Sequence, residues 1–390
     1  MKARIKNLYN KVFFTPQTLP ASSSNSTVEI DGKPNRLFLR IDHEGSGILV
    51  VNAATVLHLN QTATEIAYYL INKMTIDEIT AELVKRYRVP AETATQDIEY
   101  FKIRINTLMQ TPDLDPETFL DMDRVIRHSS EQNAPLRLDC ALTYQIPSGS
   151  SGVFTPMERV DRSLDTTEWK KILSEAWEWG IPHVVFTGGE PTLRPDICEL
   201  VQYAESLGQV TGLITDGFRL TENDYLIDLM NSGLDHLMVI LVENDEQSWE
   251  AIRDAVNEDI HLTVHMTIRE SNIKNLDDYL SKLASIGVQN ISISTPSKDF
   301  ESNLVDASQK ASEYGLTLIY DLPVPYSELN PVSLELEKDN STLEGYGRSW
   351  LYVEPDGDVL PGQGILQSLG NFLTDSWINI SANRKDYLSQ

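Results

Sequence analysis

DTTEWKKILSEAWEWGIPHVVFTGGEPTLRPD, Asp165 to Asp196, runs through a helix, a strand and a turn, and its reading decides the fold. Asp165 and Glu168 form a cap, Trp169, Ile172, Leu173, Ala176 and Trp177 recur at helical spacing, and Gly180 closes the segment. The spacing therefore predicts a helix with one apolar face that packs on a sheet. HVVFT follows as a short apolar strand. In TGGEPTLRPD, Gly188 and Gly189 let the backbone approach a ligand and expose N–H groups, Glu190 offers a carboxylate to an ammonium group, and Pro191 stiffens the exit. The plainer reading of this turn is a tight strand-to-helix connection with a solvated glutamate.

Outward from this unit the pattern repeats. LRLDCALT precedes it, and VTGLIT, HLMVIL, HLTVHMTI and NISIS follow, each separated by a helical stretch, with LTLIY as an extra strand. Repeated strand–helix units imply an α/β protein built on a parallel sheet or an open barrel, with function on the loops after the strands' C-terminal ends. The segments around this core divide the chain: 1–34 a polar tail, 35–110 a small module, 111–135 a Pro- and Asp-rich linker, 136–320 the repeating units and 321–390 an appended element rich in Pro and Gly. In the module, RLFLRID, GILVVN and TVLHLN read as strands and three helices follow. The second helix opens on a Thr75/Glu78 capping box with Met74 and Ile79 as a staple, and Ile76, Ile79, Leu83 and Tyr87 form its stripe. The third carries Ile98, Phe101, Ile105 and Leu108 on one face.

Composition narrows the functions. A chain of 390 residues with 41% hydrophobic content can build two or three cores. A net charge of -26 opposes nucleic acid and anionic membrane surfaces as partners. The N-terminal stretch lacks the apolar run of a signal peptide, which gives a cytoplasmic expectation. Two cysteines, Cys140 and Cys198, support neither a disulfide framework nor a four-cysteine metal site. Both read as core residues rather than ligands, and His261 and His265, on one face of a strand, lack a third ligand for a metal.

LRLDCALT, EWKKILSEAWEWGIPHVVFTGGEPTLRPD and LITDGFRL together resemble the radical SAM enzymes. GRSWLYVEPDGDVLPGQGILQSLGNFL resembles their SPASM-type extension, and VVNAATVLHLNQTATEIAYYLINKMTIDEITAELVKRYRV resembles the PqqD-like domain that accompanies such enzymes in ribosomal peptide maturation. The resemblance implies a partial (β/α) radical SAM-type barrel, a small N-terminal winged-helix-like peptide-recognition domain and a degenerate SPASM/twitch-like extension.

In that family CxxxCxxC in the loop after the first strand holds an iron–sulfur cluster, which binds S-adenosylmethionine, because soft thiolates suit the cluster's iron. Ile146, Ser150 and Val153 fall on the three cysteine positions here, and Gly362 falls on the cysteine of the extension's LPC; its upstream ligand, near Thr342 to Glu344, is also missing. Asp216 stands for the family's usual Asn and stays able to cap the next turn. The resemblance thus implies a pseudoenzyme with no catalytic residue, no metal and no cofactor expected; S-adenosylmethionine, if held at Gly188, Gly189, Glu190, Pro191 and Asp216, would bind weakly. Its partners would be a precursor peptide and a catalytically active radical SAM protein, the peptide lying along Val56, Leu57, Ile98, Phe101 and Ile105. The alternatives are a non-radical enzyme that binds S-adenosylmethionine and a purely structural or regulatory subunit.

Overall fold

The computed structural model describes residues 17–52, 55–111, 134–147, 160, 162–295, 301–319 and 345–389. Two compact units, 1–126 and 127–390, divide the chain. Ser150, Val153 and Thr342 to Glu344 lie outside the described residues, as does most of the linker.

The first unit begins with a hairpin. Asp31 and Gly32 have φ values of 54° and 76°, which suit the two central positions of a tight hairpin turn. This turn joins β1 (Ser22–Ile30) to β2 (Lys33–Ile41) in register from Ser22↔Ile41 to Ile30↔Lys33. The tail expected over 1–34 therefore contains a nine-residue strand. Its Ser, Asn and Thr residues hide it from a search for apolar alternation, and they are tolerated because β1 is an outer strand. β3 (Gly47–Val51) and β4 (Thr55–Leu59) complete an antiparallel sheet of order β1-β2-β3-β4.

Three helices follow: α1 (Gln61–Ile71), α2 (Ile76–Tyr87) and α3 (Ala91–Gln110). The capping box of α2 forms as the spacing predicts, with Thr75 N donating to Glu78 Oε2 at 2.8 Å and Glu78 N to Thr75 Oγ1 at 3.3 Å. Leu39, Leu49, Leu57 and Leu59 of the sheet pack with Ile105 and Leu108 of α3. A second cluster joins Ile66, Ile79, Leu83 and Ile98 across the helices. Between α1 and α2, the buried Glu65 accepts from Arg86 Nε at 2.7 Å, Arg86 Nη2 at 2.9 Å and the Tyr87 hydroxyl at 2.8 Å. Three donors satisfy a carboxylate that would be costly to bury alone.

The second unit is built on the predicted repeat. β5 (Arg137–Thr143), β6 (His183–Gly188), β7 (Val210–Thr215), β8 (His236–Ile240), β9 (His261–Thr267), β10 (Asn290–Ser294) and β11 (Thr317–Leu318) lie side by side and parallel. The connecting helices are α4 (Thr166–Glu178), α5 (Ile197–Leu207), α6 (Tyr225–Asn231), α7 (Glu246–Asn257), α8 (Leu276–Ser285) and α9 (Glu301–Glu313). An order that advances in one direction with right-handed crossovers keeps all helices on one face and curls the sheet into an open barrel.

One core cluster carries this out: Leu138, Cys140, Val184, Phe186, Leu213, Leu237 and Val264 pack against Trp169, Leu200, Leu229, Ile252, Leu280 and Ala307 of the helices. Strand alternation then turns Arg137, Asp139, Thr187, Gly212, His236, His265 and Ser292 to the other face. That face mixes these residues with Ala141, Val185, Ile214 and Met238, where the helix side is apolar throughout.

The C-terminal segment extends the same sheet. β12 (Trp350–Val353) pairs parallel with β5, and β13 (Asp358–Leu360) and β14 (Gly370–Asn371) follow antiparallel. α10 (Trp377–Leu388) is anchored by Trp179, which stacks on Phe372 at 5.3 Å and on Trp377 at 4.4 Å. No described helix is long and apolar enough to cross a membrane.

Candidate functional site at the strand ends

Glu190 leaves β6 and turns back under the loop. The side chain is 3% exposed. Its Oε1 accepts from Thr192 N at 2.9 Å, Thr192 Oγ1 at 2.6 Å and Thr215 Oγ1 at 2.8 Å, and its Oε2 accepts from Asp216 N at 2.8 Å. This is no solvated glutamate: it binds the end of β6 to the end of β7. Asp216 Oδ1 accepts from Phe218 N at 3.0 Å, so it caps its turn as the sequence allows. Burial, and then the Glu190 charge, push the Asp216 carboxyl up to about 8, so that this pair of acids retains a proton at neutral pH. Beside it, Thr187 Oγ1 is buried with no hydrogen-bond partner.

The two glycines serve a different purpose from the one expected. A Cβ on Gly188 would lie 2.2 Å from the Thr143 carbonyl oxygen, and one on Gly189 2.2 Å from that of Gln145. Gly189 N donates to Thr143 O and Glu190 N to Gln145 O, both at 2.7 Å. Their close approach is thus to the chain leaving β5, and these N–H groups are already used. Pro191 starts a single 3-10 turn. Arg194 fastens the far side, paired with Asp196 at 2.7 Å and donating to Leu164 O at 2.9 Å. Thr187, Thr192 and Thr215 were absent from the predicted site, although each stands within two residues of a position named there.

The expected peptide contacts divide by burial. Leu57, Ile98 and Ile105 are 4%, 0% and 6% exposed and belong to the core, and Phe101 is half-buried against both clusters. Helical periodicity marks the covered face of α3, and the sheet and the other helices are what cover it. Val56, 41% exposed on the outer strand β4, remains accessible.

An open α/β barrel with an acidic pair at its strand ends defines the class of molecule. Residues 140–282 match the Radical SAM superfamily, and residues 47–102 match Coenzyme PQQ synthesis protein D (PqqD). The two matches follow one another along the chain, the PqqD-like stretch first and the radical SAM-like stretch after it. It is 26% identical over 261 residues to the PqqA peptide cyclase of Bradyrhizobium diazoefficiens, covering 58% of this chain and 66% of that one. It is 27% identical over 254 residues to the PqqA peptide cyclase of Streptomyces rochei, covering 58% and 69%. The match thus spans about two thirds of these relatives' length. Among solved structures, SuiB of Streptococcus suis bound to precursor peptide SuiA superposes with a TM-score of 0.59 at 15% identity, covering 88% of this chain and 87% of that chain. SuiB bound to S-adenosylmethionine gives 0.58 at 14%, covering 92% and 88%.

These matches correct the expectation that no cofactor is involved: the radical SAM family and its relatives point to S-adenosylmethionine and an iron–sulfur cluster. The residues present answer differently for the two groups. Glu190 is already taken up by donors of its own chain, which leaves Asp216 and the unpartnered Thr187 hydroxyl as the polar groups at this strand end that could meet S-adenosylmethionine. A cluster needs three thiolates from the loop after β5, and the sequence holds two cysteines, neither of them there. Cys140 is fully buried on the helix side of β5, where burial raises its thiol well above the usual range, and Cys198 lies on α5. At Gly362 a Cβ would lie 2.3 Å from the Tyr346 ring, which fills the place of a cysteine side chain. The donor set therefore does not fit a cluster held by this chain alone.

Proposed function

We propose that the protein is a peptide-binding scaffold of ribosomal peptide maturation that does not itself cleave S-adenosylmethionine. The replacement of every cluster thiolate beside an intact barrel and an intact PqqD-type module is the observation that carries this reading. The peptide adds as a strand to the free side of β4, where backbone hydrogen bonds give affinity and Val56 presents an apolar contact. Peptide binding as such is supported by SuiB of Streptococcus suis, which shares this fold and is known bound to its precursor peptide SuiA. A catalytically active radical SAM protein would supply the chemistry.

The test is an anaerobic pull-down of the tagged protein from its own host, beside Val56→Asp, with mass spectrometry of what is retained. A short ribosomal peptide held by the wild type and lost by the variant is the expected result; a peptide retained equally by both would remove β4 as its site.

A second reading is favoured by the Glu190–Asp216 pair and Thr187: a non-radical enzyme that binds S-adenosylmethionine. Product formation without added iron would distinguish it from the scaffold.

A further inference from the structure

The opposite end of the barrel holds a pair of imidazoles that the strand-end site does not use. His183 and His236 are the first residues of β6 and β8. Each faces away from the helices, because the residue after it, Val184 or Leu237, lies in the helix-side core. β7 separates the two strands, yet the Nε2 atoms meet at 2.7 Å. Gly212 of β7 makes this meeting possible: a Cβ there would lie 2.1 Å from Cε1 and 2.2 Å from Nε2 of His236.

We propose that this contact is a proton-sensitive latch, which holds the start of β6 to the start of β8 while both rings are neutral and lets go in acid. A hydrogen bond between two Nε2 atoms has room for one proton, so one ring donates and the other accepts through a bare nitrogen. A first added proton goes to Nδ1 of the donating ring and keeps the contact. A second can enter only at the accepting Nε2, where it sets two N–H groups against each other and parts the rings.

The surroundings oppose even the first of these protons. From β5, Arg137 stands beside His183, its charge shared with Asp139 at 2.7 Å. From β9, His261 stands beside His236. Asp235, one residue before His236, is turned to β7, where its Oδ2 accepts from Thr211 N at 2.9 Å, and β7 itself presents the uncharged Gly212 to the pair. Burial first, and then the charge of Arg137 and of neighbouring imidazoles, hold both rings below the usual range, His236 at about 3. The unfolded chain takes up these protons near the ordinary imidazole value of about 6.5 and the folded chain does not. The latch therefore contributes its full stability above that pH and loses it progressively as pH falls below it.

The test is an NMR titration of the histidine Cε1 resonances of the full-length protein from pH 7.5 to pH 5, with melting temperatures of the wild type and His183→Gln over the same range. His183 and His236 should keep the shifts of neutral rings down to pH 5, and the melting temperature of the wild type should fall by about 4 °C more than that of His183→Gln. The wild-type titration decides the case even if the variant folds poorly: protonation of all seven histidines in the folded protein by pH 5 overturns the proposal. An equal fall in melting temperature for the two proteins overturns it as well.

Discussion

Asp216 and Glu190 are two acids that meet at neighbouring strand ends, and their environments set different tasks. Glu190 is saturated with donors and holds β6 to β7, while Asp216 retains its proton because burial and the Glu190 charge disfavour a second anion. Its carboxyl titrates higher in the folded chain than in the unfolded one, so the native state binds the extra proton and stability falls as pH rises from about 4 to about 8. Asp216→Asn keeps the acceptor for Phe218 N and removes the titration. Its melting temperature should exceed that of the wild type by a margin that grows through this window and levels off above it, equivalent to about 1–3 kcal/mol at pH 8.5. Equal melting curves at pH 5 and pH 8.5 for both proteins would remove the shared proton. Glu190 was conspicuous in the sequence because a carboxylate follows two glycines there. Its threonine partners were not, since hydroxyls at strand ends occur for many structural reasons. The His183–His236 contact was beyond reach of the sequence: it joins residues 53 apart and exists only because sheet order and Gly212 bring them together.

Among the elements, those defined by local rules were read correctly and those defined by partners were not. The α2 capping box and the stripe of α4 follow from spacing within one turn or two; the box forms, and of the stripe Trp169, Ile172, Leu173 and Ala176 are buried while Trp177 is only partly covered. β1 was missed because its residues are polar, although Asp31–Gly32 was a hairpin signal in plain view. Gly32→Val tests the importance of that turn. The site is open, with nothing within 4 Å of a Cβ, so only the left-handed backbone resists the side chain. The variant should lose about 1–2 kcal/mol in urea unfolding, with faster amide exchange along β1. Unchanged exchange there would mean that the hairpin is held by other contacts. The inward placement of Leu57, Ile98 and Ile105 teaches the same lesson, since periodicity identifies a covered face without naming its cover. Val56, on the outer strand, is where an added peptide strand can be tested.

At the scale of the whole molecule, an open barrel extended by β12 to β14 is kept intact around cluster positions that carry no thiolate. The strand order was legible because each βα unit announces itself, and the extension's docking on β5 was not, because it depends on pairing across more than two hundred residues. Tyr346 filling the place beside Gly362 and the backbone pairing of the Gly188–Gly189 turn both describe a scaffold packed for its own stability. The central claim is that such a scaffold binds without performing the radical step. The direct measurement is reductive cleavage of S-adenosylmethionine by the full-length protein, prepared anaerobically, supplied with iron, sulfide and a strong reductant, and followed by mass spectrometry. The account predicts no cleavage above the protein-free background; cleavage that scales with protein and repeats over many turnovers would contradict it.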